Sequence, residues 1–150
     1  MITVTFATET GNAEDLAEEA GKFLTEKGMD NRVIDIARLE SGDLGEIETL
    51  VAIVSTWGDG EPPTDAEDFF FELRDRETMN LSHLKYAVLA LGDTCYDLFC
   101  QFGKDLDAEL ERHGAECMLD RVDCDVDYED SFDAWIGEVA DRLGRSLAPV

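Results

Sequence analysis

Apolar and polar positions along the chain follow two alternating rhythms. Residues 2–7, Ile2-Thr3-Val4-Thr5-Phe6-Ala7, form a nearly continuous β-branched run of the kind buried on both faces of a sheet. Residues 12–27 switch to helical spacing, with Leu16, Ala17, Ala20, Phe23 and Leu24 on one face. Gly28 is the stop and Asn12 is placed as the cap. A short second strand is predicted over 32–36, then a polar stretch over 40–48 and a third strand over 50–55. The third strand runs into Thr56-Trp57-Gly58-Asp59-Gly60-Glu61-Pro62-Pro63, a glycine- and proline-rich loop. Ala66, Phe69, Phe70 and Leu73 mark the next helix, begun by Thr64. Within it, Phe69-Phe70-Phe71 must turn one ring toward the outer face. A fourth strand over 86–91 ends in Gly92-Asp93-Thr94-Cys95-Tyr96-Asp97, and a helix carrying Phe99, Phe102, Leu106 and Leu110 follows, stopped by His113-Gly114. A fifth strand over 116–122 gives way to the acidic loop Asp123-Cys124-Asp125-Val126-Asp127. A last helix presents Phe132, Trp135, Ile136, Val139 and Leu143 on one side.

Five strands alternating with helices predict an α/β domain whose parallel sheet is doubly wound, because parallel strands need helical, right-handed crossovers. At 150 residues the chain is expected to be one domain, 1–150, with one core. In such sheets ligands sit beyond the carboxyl ends of the strands, at the point where strand order reverses. The unusual loops follow strands one, three, four and five, and so converge on that end.

Charge changes the picture more than length does. There are 36 acidic residues against 12 basic ones, a formal charge of −24. Such a surface repels nucleic acid and anionic membranes and attracts basic partners. Adaptation to high salt and docking to a basic redox partner both account for it. The opening residues lack the zones of a signal peptide and no apolar run is long enough to span a bilayer, which points to a cytoplasmic protein. Cys95, Cys100, Cys117 and Cys124 have no C-x-x-C spacing and read as buried free thiols. Neither His83 nor His113 lies at zinc-ligand spacing from a second histidine.

The first strand-to-helix turn, Thr8-Glu9-Thr10-Gly11-Asn12-Ala13, offers hydroxyls, a side-chain amide and backbone N–H groups at a helix N-terminus. A fixed nest of neutral donors accommodates a phosphate without lysine or arginine. The turn is neither a Walker loop nor G-x-G-x-x-G, and a plain polar helix cap accounts for it equally well. Trp57 and Tyr96 sit in the loops after strands three and four. A planar heteroaromatic ligand stacked between them explains that placement, worth on the order of 1 kcal/mol per ring beyond area burial; packing on loop edges is the alternative. Gly58 and Gly60 let the backbone approach a ligand closely. A phosphate at one end and a flat ring at the other describe a mononucleotide.

These motifs, in this order, resemble the flavodoxins and the FMN domains of diflavin reductases, and the likeness spans essentially the whole chain. Ser55-Thr56-Trp57-Gly58-Asp59 is closest to small flavodoxins, whereas Gly60-Glu61-Pro62-Pro63 and Phe99-Cys100-Gln101-Phe102-Gly103-Lys104 look more like the FMN domain of sulfite reductase flavoproteins. The resemblance implies a flavodoxin-like five-stranded sheet in the order 2-1-3-4-5, and FMN as cofactor. It assigns the FMN phosphate to Thr8, Thr10, Gly11, Asn12 and Ala13, with Glu9 in the same loop, and the ribityl chain to Ser55 and Thr56. Trp57 would lie on the inner flavin face and Tyr96 on the outer one, with Gly92, Asp93 and Thr94 along the ring edge. Asp59 and Gly60 belong to the inner ring loop, Leu91 opens the outer one, and Phe99 and Cys100 close it. The Gly58 carbonyl would accept a hydrogen bond from the protonated flavin N5 of the semiquinone. An acid after strand five, one of Asp123, Asp125 and Asp127, would stand near the cofactor, and Asp125 is carried in the candidate set.

The function so implied is a one-electron carrier working between semiquinone and hydroquinone. Its potential would be low, because Asp59, Glu61, Asp93 and Asp97 disfavour the anion of the reduced ring. The cofactor supplies the chemistry, and no side chain need act as acid, base or nucleophile. The expected partners are a flavodoxin- or ferredoxin-type reductase and an acceptor enzyme with basic docking surfaces, meeting a monomeric carrier. The alternatives are a stand-alone FMN module of a diflavin or sulfite-reductase-like system and an NAD(P)H-dependent FMN reductase. For the latter there is no second nucleotide fingerprint. A receiver domain does not fit, since the positions of its acids and lysine hold Phe6-Ala7, Ser55-Thr56 and Arg121-Val122.

Overall fold

The computed structural model describes residues 1–8, 11–56, 60–92 and 100–147. Strands β1 (Ile2–Ala7), β2 (Asn31–Asp35), β3 (Thr49–Ser55), β4 (Lys85–Leu91), β5 (Glu116–Cys117) and β6 (Val122–Cys124) pair in parallel in one sheet. The order is β2-β1-β3-β4-β5, with β6 also on β4, so the expected 2-1-3-4-5 winding holds. The chain leaves β1 toward β2 and returns on the other side of β1 as β3, which makes the β1–β3 boundary the switch point.

Helices α1 (Asn12–Glu26) and α4 (Glu129–Leu147) cover one face, and α2 (Glu67–Asp75) and α3 (Gln101–Arg112) cover the other. Strand side chains alternate between the two cores. Val4, Phe6, Val51, Ile53, Ala87 and Leu89 meet α1 and α4, whereas Leu50, Ala52, Val54, Tyr86 and Val88 meet α2 and α3. Thr3 and Thr5 are buried within β1 and are satisfied sideways on β2: the Thr5 hydroxyl donates to the Ile34 carbonyl at 2.8 Å, and Thr3 Oγ1 accepts from Arg32 Nε at 3.1 Å. Gly103 lets α3 lie directly on β4, since a Cβ there would stand 2.4 Å from that of Ala90.

Four expectations need correction. The fifth strand is two pieces. Lys85 and Tyr86 pair with Glu116 and Cys117, and Leu89 to Leu91 with Val122 to Cys124, so residues 118–121 run opposite only Ala87 and Val88. The cause is local sequence: Leu119 turns into the core beneath α4 while Arg121 turns toward Asp107 on α3, which breaks the alternation a strand requires. Second, the polar stretch before β3 is two 3-10 segments, Ile36–Arg38 and Ser41–Glu46, whose Ile36 and Leu44 are buried against the α2 and α3 face. Third, neither expected cap residue occupies the N-cap position: Gly11 precedes α1, and Pro63 precedes a 3-10 turn, Thr64–Ala66, that leads into α2. Fourth, Cys117 is exposed, whereas Cys100 and Cys124 are buried as expected. Phe71 is the outward ring of its triplet, with the Arg74 guanidinium 4.6 Å from its centroid.

Candidate functional site

The sheet ends at its carboxyl edge on Ala7, Ser55, Leu91 and Cys124, four neighbouring strand ends. Gly11 adopts φ 91°, the left-handed region that glycine enters without strain, and this sharp turn sends the chain from β1 into α1. Its N–H donates to Thr8 Oγ1 at 3.0 Å. A hydroxyl that accepts one bond keeps its own proton to give, so Thr8 remains a donor toward the edge. The helical ladder begins with Asp15 N–H on the Gly11 carbonyl at 3.0 Å, and among the described residues no side chain caps the helix. The amides of Asn12, Ala13 and Glu14 therefore precede the ladder, as the first-turn amides of any α-helix do. Ala13 is fully buried, so only its N–H is available to a ligand; Asn12 is exposed.

Across the switch point the loops are tied to one another. Thr56 N–H donates to the Leu91 carbonyl at 3.3 Å, and Thr56 Oγ1 accepts from Phe102 N–H at 3.0 Å, capping α3 from a different loop. Gly92 N–H donates to the Cys124 carbonyl at 2.9 Å. Ser55 is half-buried at the β3 end, and Gly60 takes φ 95° where the loop turns back toward Pro62. Leu91 points into the core shared with α1 and α4, so the edge receives its backbone and not its side chain.

Cys100 behaves differently from the other candidates. It is fully buried at the N-cap of α3 with φ 54°, and its Sγ lies 3.5 Å from the Ala90 carbonyl and 3.6 Å from that of Cys124. Burial, then the nearby Asp123, pushes its thiol up to about 12, so it is a neutral donor within the fold. Of the three candidate acids, Asp123 within β6 is held by Arg121 Nε at 2.7 Å, Asp125 Oδ1 accepts from Val126 N–H at 2.8 Å, and Asp127 is exposed. First-turn acids Glu14 and Asp15, Glu67 and Asp68, and Glu129 and Asp130 stand at the same edge, because α1, α2 and α4 all start there. Each complements a helix dipole, and together they make the rim strongly anionic.

Thr8, Gly11, Asn12, Ala13, Ser55, Thr56, Gly60, Leu91, Gly92, Cys100 and Asp125 thus gather along one edge. Glu9, Thr10, Trp57, Gly58, Asp59, Asp93, Thr94, Tyr96 and Phe99 lie outside the described residues. A glycine turn, an α1 start without a side-chain cap, and hydroxyls at Thr8, Ser55 and Thr56 suit the phosphate and sugar-like chain of a flavin mononucleotide. Sequence reasoning missed Arg121 and the capping role of Thr56. The signal for Arg121 was a lone cation in an acidic stretch, between Asp120 and Asp123.

A sequence model of the flavodoxin family matches residues 4–135. The chain belongs to the flavodoxin family. Flavodoxins are FMN-binding electron carriers. A flavodoxin structure from Streptococcus pneumonia TIGR4 superposes with a TM-score of 0.84 at 30% identity, covering 97% of this chain and 99% of that one. Oxidised Flavodoxin 1 from Bacillus cereus shares the fold, at a TM-score of 0.81 and 24% identity, covering 98% and 99%. Among curated proteins, the sulfite reductase [NADPH] flavoprotein alpha-component of Bacillus subtilis (strain 168) is 40% identical over 152 residues. The match covers 99% of this chain and 25% of that protein. The chain thus spans about a quarter of the length of such relatives. Among the described residues no helix is long and apolar enough to cross a membrane.

Proposed function

We propose that the carboxyl edge holds FMN with its phosphate at the start of α1 and its ring beside the loops that follow β3 and β4. The observation that carries this reading is the α1 turn: Gly11 at φ 91°, a hydroxyl from Thr8, and an amide ladder that begins only at Asp15. When bound, FMN supplies one-electron redox chemistry. The protein binds and orients it: Asn12 and the first-turn amides hold the phosphate, Ser55 and Thr56 meet the ribityl chain, and Trp57, Gly58, Gly92 and Tyr96 frame the ring. Acids on the rim, Glu61 among them, disfavour negative charge on the reduced ring and lower its potential. They also attract basic partners, with Val126, 61% exposed between Asp125 and Asp127, as an apolar contact. The chain acts as a single domain and a monomer in the cytoplasm. Its acidity serves docking, and a salt-rich interior would use the same residues for solubility. The test is the visible spectrum of the purified protein and an FMN titration of the apoprotein. Flavin absorbance and a 1:1 titration are expected, and a colourless protein that takes up no FMN overturns the reading.

The curated relatives favour a second, more specific reading, in which this is the FMN module of a sulfite-reductase-like system, fed by an NADPH-oxidising flavoprotein and not by NADPH itself. Stopped-flow mixing with NADPH separates the two arrangements. Slow bleaching without a partner reductase supports the module, and fast bleaching by NADPH alone makes the chain a reductase in its own right.

A further inference from the structure

We infer that Arg121 is a positioning residue for the flavin ring, acting through β6 and touching no cofactor atom itself. This deepens the FMN reading and rests on it. β6 is three residues long and among the described residues pairs only with β4, yet it is bonded to Gly92 and Cys100, on either side of the outer ring loop. The Cys124 carbonyl accepts from Gly92 N–H at 2.9 Å where that loop opens and lies 3.6 Å from Cys100 Sγ where it closes. The next residue, Asp125, begins the acidic loop on the same edge. Whatever fixes β6 therefore fixes two of the loops that frame the ring.

A three-residue strand reached through the excursion at 118–121 has little ladder of its own to hold it. Arg121, the last residue of that excursion, supplies the hold. Its Nε lies 2.7 Å from Asp123 Oδ1 and its Nη2 3.4 Å from Asp123 Oδ2, a forked grip on the middle of β6. Its Nη1 lies 2.6 Å from Asp107 Oδ2 on α3. Asp107 is fixed in turn by the Tyr86 hydroxyl, which donates to Oδ1 at 2.5 Å from inside β4. All three members of the clamp are about one-fifth to one-quarter exposed, so solvent screens the charges only in part. The Asp123 hydrogen bond, with the charge of Asp123 and the bond to and charge of Asp107, leaves the guanidinium pKa raised against the opposing effect of burial, consistent with a cation held between two carboxylates. Without the guanidinium, Asp107 and Asp123 face each other with no counter-charge between them in a molecule that carries 24 surplus negative charges. Repulsion then drives β6 away from α3, and Gly92 and Cys100, which are bonded to it, shift with it.

The phosphate end, on α1 across the sheet, has no part in this clamp, and that separates the effects. FMN and riboflavin, which lacks the phosphate, are titrated into the apoprotein of wild type, Arg121→Met, Arg121→Lys and the double variant Arg121→Met/Asp123→Asn, with urea unfolding of each apoprotein. The expected result is a folded Arg121→Met whose affinities for FMN and riboflavin both fall on the order of tenfold, their ratio unchanged. Part of the loss should be recovered by Lys and part by neutralising Asp123. The inference is overturned if folded Arg121→Met binds both flavins within twofold of wild type, which leaves the clamp a stability element only. It is also overturned if FMN binding falls while riboflavin binding does not. A wild-type apoprotein that binds no FMN defeats the cofactor reading instead, so the two failures are distinct.

Discussion

The two ends of the parallel sheet are built on opposite principles. At the amino edge the ends of α2 and α3 are closed by side chains. His113, fully buried after α3, accepts Met79 N–H on Nδ1 at 2.9 Å, which leaves Nε2 to donate to the Leu73 carbonyl at 3.0 Å. Arg112 Nη2 reaches the carbonyls of Leu73 and Arg74 in the last turn of α2 and of Arg76 just beyond it, at 3.2, 3.1 and 3.2 Å. At the carboxyl edge α1 begins without a side-chain cap among the described residues, and glycines at 11, 60 and 92 leave the backbone uncovered. Side chains close the helix ends at one edge, whereas at the other the start of α1 is left for a ligand to complete. If so, substitutions at the amino edge should cost folding and spare binding, and substitutions at the carboxyl edge should do the reverse.

The largest separation is expected from His113→Ala. It empties a buried site and strands Met79 N–H and the Leu73 carbonyl, so the apoprotein should lose about 3 kcal/mol in urea unfolding. FMN affinity of the folded fraction should stay within twofold of wild type; a large loss of affinity would mean the two ends are not independent. Gly103→Ala sits between them. Its Cβ would meet that of Ala90 at 2.4 Å, backbone-anchored on both sides, and α3 must move off β4 at a cost of about 2 kcal/mol. Because the α3 start carries Cys100 and accepts the Thr56 cap, FMN binding should weaken as well, unlike in His113→Ala.

The same contrast governs what was legible in the residues themselves. Strand and helix periodicity located a parallel sheet covered on both faces and the loops that meet at its carboxyl edge, because burial on two faces imposes recurring apolar patterns, while the strand order was implied by the family resemblance. Thr8 to Ala13 and Ser55 to Gly60 were visible as chemistry because glycines and hydroxyls at strand ends are unusual. The break in the fifth strand was not visible, since Leu119 and Arg121 each suit a strand and only the positions of α4 and Asp107 pull them to different sides. Asn12 was misplaced as a cap by propensity alone. The left-handed Gly11 before it makes the cap, and that conformation is a property of the turn and not of the helix sequence.

Gly11→Ala tests the open end directly. Among the described residues no atom beyond the chain neighbours lies within 4 Å of the added methyl, so the cost is backbone strain, about 1 kcal/mol at φ 91°. Titrations should show FMN affinity falling on the order of tenfold as the first-turn amides rotate out of register, with a loss of urea stability no larger than that strain. An unchanged FMN affinity beside the same loss of stability would erase the distinction between the ends.

Alkaline pH probes the buried layer beneath the ring loop. The Cys100 thiol ionises at about 12 in the fold, against an ordinary value near 9.0. The folded state therefore keeps a proton that the unfolded chain gives up. The stabilisation is complete below about pH 9 and is lost as pH rises toward about 12. Tyr86, raised by burial and by Asp107, acts in the same direction from the other core. Urea unfolding between pH 8 and pH 11, on the order of the accessible range, should show stability falling with pH. Cys100→Ala should make that slope shallower without removing it, and a slope unchanged by the substitution would place the proton elsewhere.

The smallest effect expected is a gain. Gly137 lies inside α4, on a helix that packs through Trp135, Ile136, Val139 and Ala140, and a Cβ built on it meets no atom within 4 Å. Glycine there costs helix entropy and provides neither a turn nor a close approach in return. Gly137→Ala should raise stability by about 0.5–1 kcal/mol, read as a higher urea midpoint with the same slope. FMN affinity and both one-electron potentials should be unchanged, because α4 contributes its acidic first turn to the rim and nothing from its middle. A change in either flavin property would show that the helix covering one core also communicates with the ring loops, and the division of labour between the two ends of the sheet would have to be redrawn along α4.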